Sequence, residues 1–200
     1  MTVQERAVRT RGVLVWVAAR EFDELGYEGA RLARICESAA VSMGALTFHF
    51  GSKAALADAV EKEGGSITKA LVERLLDNHG SELDAVFGLT VGLAGLLETD
   101  VVVRSSVRLG RERSRGGGRW VDVWIPAVRE LLLRAYEGGQ LRQAEASPQT
   151  VADLVVYLLV GAESQIRAGA AAPAGAPGSA SDQLERIWRL ALRGVAAESA

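Results

Sequence analysis

Apolar residues recur at three- and four-residue spacing through most of this 200-residue chain, the period of helices that bury one face. The first such stretch covers residues 4–25, with Val13, Leu14, Val17, Ala18, Phe22 and Leu25 in register and Gly26 supplying a positive-φ stop. Over 31–53 the pattern shortens. Leu32, Ile35 and Cys36 mark a brief amphipathic helix, a break follows, and a second short helix begins at Ser42, whose hydroxyl can accept from an N–H of the first turn. Gly44 and Ala45 keep that turn slim, while Phe48 and Phe50 are expected to anchor the helix to the core beneath. Two short helices joined by a turn of about three to four residues is the helix-turn-helix pattern, whose second helix enters the major groove of DNA.

A long helix is predicted from Ser52 into the 71–76 region, its inner face Leu56, Val60, Ile67, Leu71 and Leu75. Gly64-Gly65 interrupts it. Each glycine costs about 1 kcal/mol relative to alanine in a helix, so the pair predicts a kink, a frayed turn or a break. The period resumes from Ser81 with Leu83, Val86, Phe87, Val91, Ala94 and Leu97, and a further helix covers Val101 to about Leu109. Trp120 to Tyr136 forms the next, with Trp120, Trp124, Val128, Leu131 and Leu132 inward, Pro126 in a first turn or at a kink, and Gly138-Gly139 as the end. Ser147-Pro148 starts a helix running to Ala168 that is apolar nearly all round, which predicts burial on two sides. Residues 169–181 read as a linker and 182–198 as the last helix, with Leu184, Ile187 and Trp188 on its face.

The fold class is therefore all-α, with an N-terminal three-helix helix-turn-helix domain over residues 1–53 and a helical domain over 54–200. Composition narrows the function. A formal net charge of −2 excludes a protein coated in cations, and residues 1–53 hold seven Arg and Lys against six Asp and Glu, so nucleic-acid contact must come from a local patch. The most basic stretch is 111–119, RERSRGGGR, which with Arg104 and Arg108 reads as a solvated cationic loop; contact with DNA or an acidic partner is the alternative. It lacks the spacing of a phosphate-binding loop. The one cysteine, Cys36, excludes an intrachain disulfide and sits where a small core residue is expected. His49 and His79 are not spaced with cysteines or carboxylates for a metal, and no catalytic signature appears, so neither catalytic residues, a metal nor a cofactor is expected. The N-terminus lacks the pattern of a signal peptide and no apolar run reaches about 20 residues, which points to a cytoplasmic protein.

The run Val41-Ser42-x-Gly44-Ala45-Leu46-x-Phe48-His49-Phe50-x-Ser52-Lys53, with Gly26-Tyr27 before it, resembles the N-terminal domain of the TetR family of bacterial repressors. Within that family the F-H-F form resembles the γ-butyrolactone autoregulator receptors. The motif covers about the first quarter of the chain. The resemblance implies a homodimeric, ligand-responsive repressor of double-stranded, palindromic operator DNA. It places His49 and Lys53 on phosphates and Ser42, Ala45 and Leu46 in or beside the groove; Met43, Gly44 and Thr47 share that helix. It also implies that residues 54–200 form a ligand and dimer domain, with the last two helices pairing across a two-fold axis. There Trp124 falls where a tryptophan lines the lactone pocket, with Trp120 one turn earlier, and Phe87, Val128, Leu159 and Ala162 complete the candidate site for a small hydrophobic effector.

Several positions depart from the family pattern. Met43 replaces a common lysine, Thr47 an aromatic, Ala30-Arg31 a hydroxyl pair, and Ala40 the turn glycine, where alanine is strained by a positive φ. Arg31 and Arg34 offer compensating cations. Gly64 and Ala162 stand where relatives offer Gln and Thr to the lactone, which leaves room for a different effector such as an antibiotic-like molecule. The competing expectation is a degenerate relative that has lost operator binding and acts by binding ligand or a partner subunit.

Overall fold

The computed structural model describes residues 2–77, 80–113, 120–142, 146–169 and 172–196; His79 and the arginine-glycine run 114–119 lie outside them. Nine helices are found among the described residues: α1 (Val3–Gly29), α2 (Leu32–Ser38), α3 (Met43–His49), α4 (Lys53–Leu76), α5 (Glu82–Thr99), α6 (Val101–Glu112), α7 (Trp120–Glu137), α8 (Pro148–Arg167) and α9 (Ala180–Val195). The all-α expectation holds. The residues group into two compact units, 1–67 with 100–120 and 68–99 with 121–200.

In the first unit a capping box opens α1: the Thr2 hydroxyl accepts from the Glu5 N–H at 3.1 Å and the Glu5 carboxylate from the Thr2 N–H at 2.7 Å. Gly26 breaks the helix at φ 73°, and a Cβ there would lie 2.7 Å from both Arg108 Nη2 and Glu112 Oε1. The angle is what demands glycine, since the crowding atoms are the ends of two long side chains. The core gathers Leu14, Ala18 and Phe22 of α1, Ile35 and Cys36 of α2, Leu46 of α3, Phe50, Leu56 and Val60, with Val102 and Leu109 of α6. Cys36 is the small core residue expected of it.

α4 runs unbroken through Gly64-Gly65, against the expected kink. The reason is packing. A Cβ on Gly64 would sit 2.4 Å from Ser106 Oγ, 2.6 Å from Ser106 Cβ and 3.1 Å from the Val102 carbonyl, so the missing side chain lets α6 lie directly on α4. Helix propensity reported a weak site where tertiary contact needed an empty one.

Between α2 and α3 the chain turns by a Schellman motif, with the Val41 N–H on the Cys36 carbonyl at 3.0 Å and the Ala40 N–H on that of Glu37 at 3.1 Å. Its left-handed position is Ala40 at φ 53°, a non-glycine in the region that costs an L-residue about 1 kcal/mol. Ala40→Gly is expected to raise unfolding stability by up to about 1 kcal/mol in a denaturant melt, the greater backbone freedom of unfolded glycine taking back part of the gain.

In the second unit α5 packs on α8 and α9, which also pack on each other. Ser81 and Asp84 form a capping box at the start of α5, and the Ser81 hydroxyl and N–H hold the Asp84 carboxyl below its usual range. The α5 face is rotated from the expected one: Leu89 and Leu93 are buried and Phe87 and Val91 only half so. Gly139 at φ 71° ends α7, and Pro126 is accommodated inside that helix on its exposed side. The Ser147 hydroxyl caps α8 through the Thr150 N–H. Two-sided burial of α8 is corrected. Val151, Ala152, Val155, Leu159 and Ala162 are buried, but Tyr157 and Val160 on the other side are 74% and 57% exposed. On α9, Leu184 and Trp188 face in while Ile187 and Leu190 stand out. No single helix among the described residues is long and apolar enough to cross a membrane.

Candidate nucleic-acid interface

α3 is fixed from its first residue. The Ser42 hydroxyl accepts from the Ala45 N–H at 3.1 Å, as the sequence suggests, and only Leu46 of the helix is buried. This corrects two expectations. Phe48 does not anchor the helix; it is 83% exposed, and Leu46, assigned beside the groove, takes the core position at 1%. Phe50 does anchor, at the cap of α3. On the outer surface stand Ser42, Met43, Gly44, Thr47 and Phe48, with Ala45 and His49 half-exposed. Thr47 turns its hydroxyl back to the Met43 carbonyl at 2.9 Å.

Arg34, Lys53 and Arg11 around this surface are held by identifiable partners. Arg34 pairs with Glu21 at 3.5 Å, and the same carboxylate accepts from the Arg31 N–H at 3.3 Å, supporting an α2 start that has no side-chain cap. Sequence reasoning passed over Glu21, although a carboxylate beside Phe22 on the inner face of α1 is a signal that something must neutralise it. Lys53 donates to the Glu28 carbonyl at 3.3 Å and lies 4.9 Å from the Tyr27 ring. Arg11, from the basic start of α1, donates to the His49 carbonyl at 3.4 Å and packs 4.3 Å over the Phe50 ring. All nine proposed contact residues, Arg31, Arg34, Ser42, Met43, Gly44, Ala45, Thr47, His49 and Lys53, thus fall on α2, α3, their N-caps and the first residue of α4, none of them buried.

The described part of the basic 104–119 stretch is not a free cationic surface. Arg104 pairs with Asp23 at 2.8 Å, and Arg108 bonds Glu112 at 2.6 Å and the Asp23 carbonyl at 2.7 Å. Glu112 also accepts from the Tyr27 N–H at 2.6 Å. Arg113 bridges Asp58 at 2.6 Å and Glu61 at 3.0 Å while lying 5.0 Å over Tyr27. These arginines tie α6 to α1 and α4. Burial pushes the Glu61 carboxyl above its usual range, and Arg113 pulls it partway back. Arg113→Gln is therefore expected to cost about 2 kcal/mol near neutral pH, the scale of a charged hydrogen bond. With the guanidinium gone, the folded-state pKa of Glu61 rises further above its unfolded value. The deficit relative to wild type is thus fully present above that folded pKa and shrinks as pH falls through it. Chemical melts across that range check the sign.

Of the candidate effector residues, Trp124, Val128, Leu159 and Ala162 are buried and Trp120 and Phe87 half-buried. Ala162 also lines a groove of about 210 Å³ between α8 and α9, with Tyr157, Leu158, Gln165, Gln183 and Ile187.

Residues 14–60, from the middle of α1 to within α4, match the family model described as bacterial regulatory proteins, tetR family. The chain is 32% identical to the A-factor receptor protein of Streptomyces griseus over 98% of its own length and 67% of that protein's. Among solved structures, a gamma-butyrolactone receptor (ArpA-like protein) matches with a TM-score of 0.77 at 26% identity, covering 96% of this chain and 90% of that one. CprB from Streptomyces coelicolor, solved in complex with its biological operator sequence, matches with a TM-score of 0.74 at 28% identity, over 96% and 91%. Given the capped, outward-facing α3 and this likeness along nearly the whole sequence, the chain belongs to the tetR family of bacterial regulatory proteins.

Proposed function

We propose that this protein is a ligand-responsive transcriptional repressor that binds palindromic operator DNA as a homodimer and is released by a small hydrophobic effector of γ-butyrolactone or antibiotic-like type. The observation that carries it is α3: a helix capped by Ser42, seated by Leu46, and open along the surface flanked by Arg31, Arg34, His49 and Lys53. Similarity to a receptor of A-factor and to CprB, bound to its operator, supports the assignment. We assign the protein no catalytic role.

The second copy fits the exposed apolar residues Tyr157 and Val160 of α8 and Ile187 and Leu190 of α9. In a homodimer built on four helices packed across a two-fold axis, two α3 helices about 34–36 Å apart would meet successive major grooves. Phosphates are held by Arg31, Arg34, His49 and Lys53, and the effector lies near Trp124. To release DNA decisively, the effector must favour one conformer by about 5.5 kcal/mol.

Selection from random duplex DNA at low salt tests the first half. A palindromic consensus supports a dimeric operator-binding regulator. Sequence-independent binding, or none, overturns it in favour of a ligand- or partner-binding relative. For the effector, Trp124→Phe is the informative variant, because a tryptophan 1% exposed loses about 3–5 kcal/mol as alanine. It is expected to keep operator affinity and weaken release by lactone or antibiotic; equal loss of both would mean Trp124 serves only the core.

A further inference from the structure

We infer that α3 reads its half-site through thymine methyl groups and not through hydrogen bonds to base edges; this rests on the DNA-binding assignment above. From Ser42 to Phe48 the sequence holds no Arg, Lys, Asn, Gln, Asp or Glu, the side chains that recognise G, A or C with paired or directional hydrogen bonds. The two hydroxyls present are engaged within the helix. Ser42 Oγ accepts from the Ala45 N–H and keeps its own proton at the N-cap, while Thr47 Oγ1 gives its one proton to the Met43 carbonyl, so Thr47 brings no donor to a base edge and its methyl is the apolar group it carries. What remains exposed is apolar: the Met43 thioether at 46%, the Thr47 methyl and the Phe48 ring at 83%.

A phenyl ring so exposed, on a helix whose core position is filled by Leu46 and with its edge contact made to the neighbouring His49 ring at 5.3 Å, contributes nothing to the core. A Cβ built on Gly44 would meet nothing beyond its own helix backbone closer than Ser42 Oγ at 3.8 Å, so no other part of the described chain crowds this side of the helix on its approach to a groove wall. In the major groove, thymine is the base that presents a methyl, and apolar side chains are its readers. Of the groups that hold phosphates, Arg31, Arg34 and Lys53 flank α3 and His49 is its last residue, so positioning and base reading are divided between different residues. The half-site facing α3 is therefore rich in A·T pairs, with thymine methyls against Phe48, Met43 and Thr47.

Deoxyuridine tests this cleanly, because it keeps every hydrogen-bonding group of thymidine and lacks the methyl. On the palindrome obtained by selection, thymines are replaced by deoxyuridine one symmetric pair at a time and affinity is measured by fluorescence anisotropy. Burying one methyl is worth about fourfold in affinity, so a symmetric pair should cost about fifteenfold at one or two positions and nothing elsewhere. Phe48→Ala should lose the thymine-over-uracil preference at the pair Phe48 faces and keep it at any pair faced by Met43 or Thr47, with an unchanged salt slope because the phosphate contacts stay. Its fold is checked by circular dichroism, and with an exposed ring removed its melting point should not move. The inference is overturned if no uracil pair changes affinity beyond twofold, if Phe48→Ala loses affinity equally on both DNAs while keeping the wild-type preference at every pair, or if the consensus is G·C at the α3 contacts. Failure to select any palindrome overturns the operator assignment itself, a result distinct from these.

Discussion

Replacing Gly64 by alanine is expected to destabilise the protein by about 2 kcal/mol, opposite in sign to what helix propensity gives. Propensity alone favours alanine by about 1 kcal/mol. The new Cβ, however, would lie 2.4 and 2.6 Å from the Ser106 side chain and 3.1 Å from the Val102 carbonyl. A carbonyl and a Cβ are fixed to their helix and cannot swing aside, so α6 must move off α4, and overpacking of this kind costs about 1–3 kcal/mol and occasionally more. With both effects present, the packing term wins. Removing the obstacle should reverse the outcome: Ser106→Gly in the Gly64→Ala background recovers part of the loss, although each change alone destabilises. Denaturant melts of the four proteins measure the coupling. If Gly64→Ala proves as stable as wild type, the close approach of α4 and α6 is not what fixes glycine there.

The largest effect on DNA binding is expected from Val160→Glu. Val160 is 57% exposed and lies one helical turn from the exposed Tyr157, and Ile187 and Leu190 of α9 are exposed apolar residues as well. In a monomer the substitution touches only water and should leave the melting curve of an isolated chain within about 0.5 kcal/mol. In a two-fold interface the same residue meets its own copy or the neighbouring α9, and two carboxylates are buried without partners. The expected result is a monomer by sedimentation and a fall in palindrome affinity of at least about a hundredfold, because each half-site must then be bound separately. A variant that stays dimeric would move the interface elsewhere. One that becomes monomeric yet binds as before would remove the need for a dimer.

Much of the architecture was written locally. Ser42, Ser52 and Ser147 each cap the helix that follows, and Gly26, Gly139 and Ala40 take the positive φ that ends one. Such features depend on a few neighbouring residues, so the sequence states them directly. The errors arose where a distant element decides. In the seven-residue α3, hydrophobic period cannot choose between Leu46 and Phe48, both apolar and two positions apart; the core offered by α1 and α4 makes the choice. Gly64 looked like a weakness because its reason lies about 40 residues further on, at Ser106. Arg104 and Arg113 looked like part of a solvated run because their acidic partners Asp23, Asp58 and Glu61 lie on other helices, as does the Asp23 carbonyl that Arg108 reaches. The outer side of α8 read as buried because an apolar position is apolar for whatever covers it, including a second chain.

Cys36 has a use beyond packing. It is the one cysteine in the sequence, buried at 7% on the inner face of α2, within the helix-turn-helix. A thiol reagent in solution can reach it only when α2 lifts, so the rate of its modification, measured under conditions where closing outpaces labelling, gives the opening free energy of that motif without interference from any other site. Adding operator DNA, or an effector, would then change a single labelling rate, and the ratio would state in one number how far each ligand tightens or loosens the head of the protein.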